Sequence, residues 1–352
     1  MITAKFGGTA VTPRNLIFLQ KTITPFHNCV VVSAVGKEYP QDTKTTDLLL
    51  SYFQTRDEQV WDAIANKYRR LVEYNGIDVD IEALLTDAKC RVATHDLEYC
   101  ASLGEELSAK VVARFLNAQY IEAQDVVRFT NGVIDIDKTY SAIVNATKGV
   151  KLAVVGGFYG GEGSNRRTFT RGGSDVSGAI FASALDSSLY ENWTDVYGVC
   201  VANPTKVHGV QTVSTMSYAE MLLLSQAGAE VLHPDAIAPV EDKGIPIRIA
   251  NFFSPSGAST LISHCPSHNK LLSIAEKDLD GLVQTTVLHS YSDWQIARIL
   301  SRFFKKNTQL VQYFGKTRSV NLVAVHNVEL CPNIVRLTTD SSIINDLYKS
   351  FN

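Results

Sequence analysis

Short apolar runs that stop at glycine or a polar turn recur along the chain: ITAKF before GG, CVVVSAV before GK, KLAVVGGF before YGGEG, LYENWTDV before YG, and IPIRIANFF. Runs of this kind predict buried strands. With helical patterns between them, they specify a largely parallel α/β sheet covered on both faces. In such sheets ligands bind where strands end and loops begin. Residues 45–125 read differently: TDLLLSYFQ, VWDAIANKYRRLVEY and SLGEELSAKVVARFLNAQ repeat apolar positions at i, i+3 and i+4, the spacing of a helical layer. At 266–271, PSHNKL is a polar, proline-containing connector. After it LDGLVQTTVLH, SDWQIARILSRFFKKN, QLVQYF, SVNLVAVHN and NIVRLTT read as strand, helix and strands, and IINDLYKSF as a closing helix. The expected division is a large domain over 1–268 and a small α+β module over 271–352.

A length of 352 residues suits this two-part reading. Lys and Arg number 33 against 36 for Asp and Glu, a net charge of −3 without a long basic run, so small-molecule partners fit better than nucleic acid. Cys29, Cys90, Cys100, Cys200, Cys265 and Cys331 include no C-x-x-C pair, which argues against a zinc site and gives no disulfide framework. They read as buried free thiols of a reducing compartment. No apolar stretch reaches the ~18 residues that cross a bilayer. No charged-then-apolar leader opens the chain, so a cytoplasmic protein without membrane contact is expected.

The candidate chemistry lies in the glycines. TFTRGGSDVSGAIFASAL, 168–185, places Arg171, Gly172, Gly173, Ser174 and Asp175 at the mouth of a helix, where free amides make an anion site. A capped helix after a glycine turn accounts for the same stretch. KFGG, 5–8, sets Lys5 beside Gly7 and Gly8, so an ammonium and bare backbone approach one phosphate. GGFYGGEG, 156–163, is too glycine-rich for an ordinary turn and reads as a second loop around that polyphosphate. Neither a G-x-x-x-x-G-K-[ST] loop nor a dinucleotide fingerprint is present. His233, beside Pro234, has no second ligand at zinc spacing and reads as a loop residue.

KFGGTAV, VVVSAVGK, TTDLLL, LGEELSAK, TRGGSD, WTDVYGV and EVLHPDAI together resemble, in order, the successive motifs of aspartokinases, over roughly 1–265. The resemblance implies the amino-acid kinase fold, a three-layer α/β/α sandwich, followed here by one shortened ACT-like module. It also implies transfer of the γ-phosphoryl group of ATP, with Mg2+, to the β-carboxylate of L-aspartate. It assigns Lys5, Gly7 and Gly8 to the transferring phosphate and Asp175 to an organising carboxylate. Arg171 would grip the α-carboxylate, with Ser33, Thr46, Glu105 and Ser174 completing the amino-acid pocket, and Thr194 and Asp195 would lie along the nucleotide. Taken without the resemblance, Thr46 reads equally as a cap of a helix from Leu48, Glu105 as a solvated helix charge, and Asp195 as a turn residue. The chain departs from the family pattern at Thr170, Cys200, Asn203, Pro204, Thr205 and Glu230, mostly on the nucleotide side, where Lys206 would replace a lost arginine if the loop is shifted. HSYSDWQ lacks the glycine of an effector loop, and weak or no amino-acid feedback is expected. A homodimer is expected. A kinase for another acidic amino acid, or a regulatory protein with a decayed nucleotide site, are the competing readings.

Overall fold

The computed structural model describes residues 1–169, 172–269, 271–292, 295–296, 299–300, 325–331, 334–339 and 342–351. In chain order the elements are β1 (Ile2–Phe6), α1 (Leu16–Thr22), β2 (His27–Val32), α2 (Thr45–Thr55), α3 (Glu58–Asn75), α4 (Ile81–Thr94), α5 (Leu97–Phe115), β3 (Gln119–Ile121), α6 (Ala123–Val126), β4 (Phe129–Thr130), β5 (Val133–Ile134), α7 (Ile136–Thr147) and β6 (Ala153–Gly156). There follow β7 (Tyr159–Glu162), β8 (Asn165–Thr168), α8 (Gly173–Ala184), β9 (Leu189–Thr194), β10 (Thr215–Ser217), α9 (Tyr218–Gln226), α10 (Ala238–Glu241), β11 (Ile247–Asn251), β12 (Ser259–Ser263), β13 (Leu271–Leu279), β14 (Leu282–His289), β15 (Val325–Cys331), β16 (Ile334–Thr339) and a last helix, Ile344–Phe351.

Two compact units divide these elements: Met1–Val196 with Asp235–Gly257, and Tyr197–Pro234 with Ala258–Asn352. In the first, strands run β11-β9-β1-β2-β6-β3, every pair parallel. Helices α7, α8 and α10 pack together on one side of the sheet and α2 to α5 on the other, which makes the three layers. The apolar runs become strands because no polar side chain interrupts them: Val30, Val31 and Val32 are all fully buried, as a sheet covered on both faces requires. The chain goes from β1 to β2 in one direction and later returns to place β9 on the other side of β1. That reversal opens a crevice at the C-terminal end of β1.

Behind the crevice a charged network ties α5 to the β7–β8 hairpin. Arg166 is 1% exposed and lies between the rings of Tyr99 and Tyr159, 4.1 and 4.5 Å from their centroids. It donates to Glu106 Oε2 at 2.6 Å, Ser102 Oγ at 3.1 Å and Gln124 Oε1 at 2.9 Å. Arg91 adds a two-pronged contact to the same carboxylate at 2.8 and 2.9 Å. Burial alone would raise the Glu106 carboxyl, but Arg91, Arg166 and Lys110 outweigh it and hold the group at about 2. Glu106→Ala would leave two guanidinium groups without this acceptor, and we expect a loss of about 3 kcal/mol or more. Adding Arg166→Met should recover part of it. Urea midpoints of the three proteins check this, and a single variant within about 1 kcal/mol of the parent would contradict it.

The second unit pairs β10 with β12 in parallel and forms an antiparallel sheet, β13-β14-β16-β15. Its core joins Ile274, Val287, Val335, Leu337, Ile344 and Leu347 to Ala202 and Val207 of the preceding loop. Val201 accepts from the Ile274 amide at 2.7 Å, and Cys200 from the Ser273 hydroxyl at 2.8 Å, so this loop is sewn onto β13.

Three expectations from the sequence need correction. LLSIAEKDL is strand β13, and the Asp280–Gly281 pair, expected within the following strand, is the turn between β13 and β14, with φ of 46° and 90°. The glycines of YGGE pack against α6 and are not in the lining of the crevice at the end of β1. A Cβ on Gly160 would come within 2.4 Å of the Val127 carbonyl oxygen, and one on Gly161 within 2.3 Å of that of Gln124, so both exist for the close docking of β7 on α6. Cys29 and Cys100 are buried as expected, whereas Cys90 and Cys265 are exposed.

Candidate functional site

Lys5 is the penultimate residue of β1 and lines the crevice, and its register partner on β9 is Asn192. The Lys5 ammonium lies 2.6 Å from Asp175 Oδ1 and donates to Asn192 Oδ1 at 3.3 Å, while the Asn192 amide donates back to Asp175 Oδ1 at 3.2 Å. The Tyr190 hydroxyl fixes the Asp175 carbonyl at 2.9 Å. Asn192 is absent from the sequence reading. Its signal was a polar residue inside an apolar strand, LYENW, at a position that is 1% exposed.

The backbone around Lys5 is bare. The Gly36 amide donates to the Gly8 carbonyl at 2.9 Å, and a Cβ on Gly36 would lie 2.3 Å from the Gly8 carbonyl carbon, so only glycine permits the two loops to touch. Gly172 adopts φ 86° at the start of α8, and no described side chain caps that helix; the Asp175 amide donates to the Gly172 carbonyl at 3.0 Å, which leaves the amides of Gly173 and Ser174 for the crevice. Phe158 holds φ 79°, an unusual conformation for a bulky residue, with its amide on Ser177 Oγ at 2.9 Å.

These elements enclose a cleft of about 680 Å³ lined by Lys5, Gly7, Gly8, Ser33, Lys44, Thr46, Asp47, Glu105, Phe158, Phe169 and Gly172 to Asp175. Of the residues singled out from the sequence, it therefore brings together Lys5, Gly7, Gly8, Ser33, Thr46, Glu105, Ser174 and Asp175. Thr46 is not a cap, because α2 already begins at Thr45, whose hydroxyl donates to the Val35 carbonyl at 2.6 Å. Glu105 is no solvated charge. It is 5% exposed, and its Oε2 has no hydrogen-bond partner among the described residues. Burial pushes its carboxyl up to about 8, against the opposing pull of the amides of Ala34 and of Glu105 itself.

Thr194 and Asp195 leave the end of β9 outside the cleft lining. The Thr194 hydroxyl donates to Asp195 Oδ1 at 3.2 Å, and Asn251 holds the Asp195 carbonyl at 3.1 Å. Lys206 belongs to the second unit, where its ammonium pairs with Glu276 Oε2 at 2.7 Å. Arg171 and Thr170 lie outside the described residues. Lys44 and Asp47 at the rim were missed by the sequence reading, because lysine and aspartate near a helix start read as solvent charges.

Residues 1–251 match the profile of the amino acid kinase family. The chain is 31% identical over 289 residues to aspartokinase 3 of Bacillus subtilis (strain 168), covering 74% of this chain, and 30% identical over 229 residues to the chloroplastic aspartokinase 3 of Arabidopsis thaliana, covering 59%. It spans 63% of the length of the first and 41% of the second. Among solved structures, an aspartate kinase from Clostridium acetobutylicum superposes with a TM-score of 0.84 at 24% identity over all of both chains. E. coli aspartokinase III in complex with aspartate and ADP does so at 0.71 and 21%, over 97% of this chain and 79% of that one. At these identities the superpositions carry the fold. The profile match, over more than half of the sequence, carries the lineage: the chain belongs to the amino acid kinase family.

Proposed function

We propose that the protein is an aspartate kinase, transferring the γ-phosphoryl group of magnesium–ATP to the β-carboxylate of L-aspartate to give 4-phospho-L-aspartate. One observation carries the reading: a buried carboxylate, Glu105, whose Oε2 has no hydrogen-bond partner among the described residues, lines the same cleft as the Lys5–Asp175 pair and the Gly7–Gly8 backbone. A buried carboxylate with one oxygen left unsatisfied is suited to the ammonium of an amino acid, and the lysine and bare glycine backbone to a phosphoryl group. The aspartokinase relatives, and the aspartate and ADP in the E. coli structure, support the choice of substrate over another acidic amino acid.

In the proposed reaction a β-carboxylate oxygen attacks the γ-phosphorus as the bond to the ADP oxygen breaks. No general base is required, since the carboxylate is ionised at neutral pH. Lys5 neutralises charge spreading over the phosphoryl oxygens, Asp175 and Asn192 hold that ammonium in place, and the bare Gly7–Gly8 backbone approaches the same group. Magnesium carried on the nucleotide would lower the repulsion between phosphates and nucleophile, and Asp175 is the carboxylate that would face it. Ser33, Thr46 and Ser174 complete the acceptor pocket, and Arg171 takes the α-carboxylate as the sequence resemblance implies. Thr194, Asp195 and Lys206 are proposed along the nucleotide, as the sequence resemblance implies for the first two. We assign catalysis to 1–268 and a single ACT-like module to 271–352, in a homodimer.

Incubation with magnesium–ATP, hydroxylamine and a panel of acidic amino acids tests this directly. We expect aspartyl hydroxamate, trapped from the acyl phosphate, at least tenfold above the product with glutamate. Product with glutamate alone would move the acceptor assignment, and none with any acceptor would leave a non-catalytic protein.

A further inference from the structure

The residue before α2 is at odds with its position. Lys44 is the N-cap of that helix, with φ −62° and ψ 142°, and its side chain makes no capping bond. Ser, Thr, Asp or Asn satisfy the free amides of a first turn, whereas a cation there opposes the positive end of the helix dipole. Thr45 does not take over the role, because its hydroxyl is spent on Val35. Lys44 is exposed, and its ammonium makes no ion pair among the described residues. It lines the cleft two residues from Thr46. Departures from local preference of this kind concentrate at functional sites.

The charges of the cleft give the departure a purpose. Of the described cations in its lining, Lys5 is committed to Asp175 at 2.6 Å, which leaves Lys44. An acidic amino acid brings one ammonium and two carboxylates. Glu105 suits the ammonium, and Arg171 is assigned to the α-carboxylate. Building on the aspartate kinase reading, we infer that Lys44 binds the side-chain carboxylate of the acceptor and so selects a dicarboxylic amino acid. A lysine fits this task better than an arginine, since one mobile point charge steadies the nucleophile without clamping both of its oxygens. After transfer the phosphoryl group keeps negative charge beside the ammonium, so the contact is not lost along the reaction.

Two neutral amides separate this contact from general electrostatic attraction. L-Asparagine lacks the side-chain carboxylate, and L-isoasparagine lacks the α-carboxylate, yet their net charges are equal. Dissociation constants for both and for L-aspartate are measured by calorimetry with magnesium and a non-hydrolysable ATP analogue. Lys44→Ala should weaken L-aspartate and L-isoasparagine at least tenfold and leave L-asparagine within twofold. Lys44→Arg should regain most of the loss. Lys44→Asn should match the alanine variant in binding while melting no lower than the parent, because asparagine is the better cap. Equal losses for the two amides, or no loss, would overturn the inference. A parent protein that binds none of the three would overturn the acceptor reading itself, and this inference with it, before any variant is compared.

Discussion

Lys5→Ala and Asp175→Asn are each expected to lower kcat by at least ~100-fold, as removal of one preorganised group facing developing charge does elsewhere. The double variant should be scarcely slower than the worse single one. The reason is the geometry: Lys5 is positioned by Asp175 at 2.6 Å and by Asn192 at 3.3 Å, so without the carboxylate the ammonium loses its aim, and without the ammonium the carboxylate has nothing to aim. Groups that act as one unit do not add. Steady-state rates at saturating substrates decide the matter. Either single variant turning over at near-normal rate would remove the phosphoryl site from this end of the cleft, and additive losses would mean that the two act separately.

Glu105→Gln is expected to raise the dissociation constant of L-aspartate at least ~100-fold while making the empty protein more stable above neutral pH. Both effects follow from a carboxyl raised from its ordinary 4.5 to about 8 by burial. The folded protein keeps a proton that the unfolded chain releases between those values. Stability from this group is therefore fully present below pH 4.5 and is lost as pH rises towards 8. The advantage of the glutamine variant over the parent should be near zero at pH 5 and grow to a few kcal/mol at pH 9, rising by at most about 1.4 kcal/mol for each step of one in pH. Binding runs the opposite way. The ammonium of aspartate needs the ionised form, so the parent should gain about tenfold in affinity for each such step from pH 6 to 8, a slope the variant lacks. Thermal melts and titrations across this range check both. A parent whose aspartate affinity is flat in pH would show that Glu105 does not meet the ammonium.

The central strands were legible because β1, β2, β6, β9 and β11 are apolar runs that end in loops, and the period of α2, α3 and α5 is plain in the sequence. Several others were not, two of them for plain reasons. Gln119–Ile121 is three residues long and follows α5 without a break in composition, and Leu271–Leu279 turns polar halfway, where its residues become exposed. Glycine density at 160–161 has a packing reason that the sequence does not separate from a binding one, since close packing on α6 and close approach to a phosphate demand the same bare backbone. Most of the polar cleft lining was named through resemblance, and the setting of Glu105 emerged only when its burial and the unpaired Oε2 were known. Asn192 escaped because a strand pattern records where a side chain is buried, not which polar atoms it meets across the sheet.

Glu105 and Glu106 are consecutive on α5, yet one is held up at about 8 facing the cleft and the other down at about 2 among three cations. About 100° of helical rotation separates the two environments. A single-residue deletion upstream in α5 would bring Glu106 to the cleft and Leu107 to the guanidinium cluster, and a single-residue insertion would bring Gly104 to the cleft and Glu105 to the cluster. Point substitutions on the exposed side of this helix leave that phase untouched. Changes in chain length do not, so insertions between Leu97 and Glu105 should be rejected in a library selected for turnover, while insertions after Asn131 in the β4–β5 turn should be admitted.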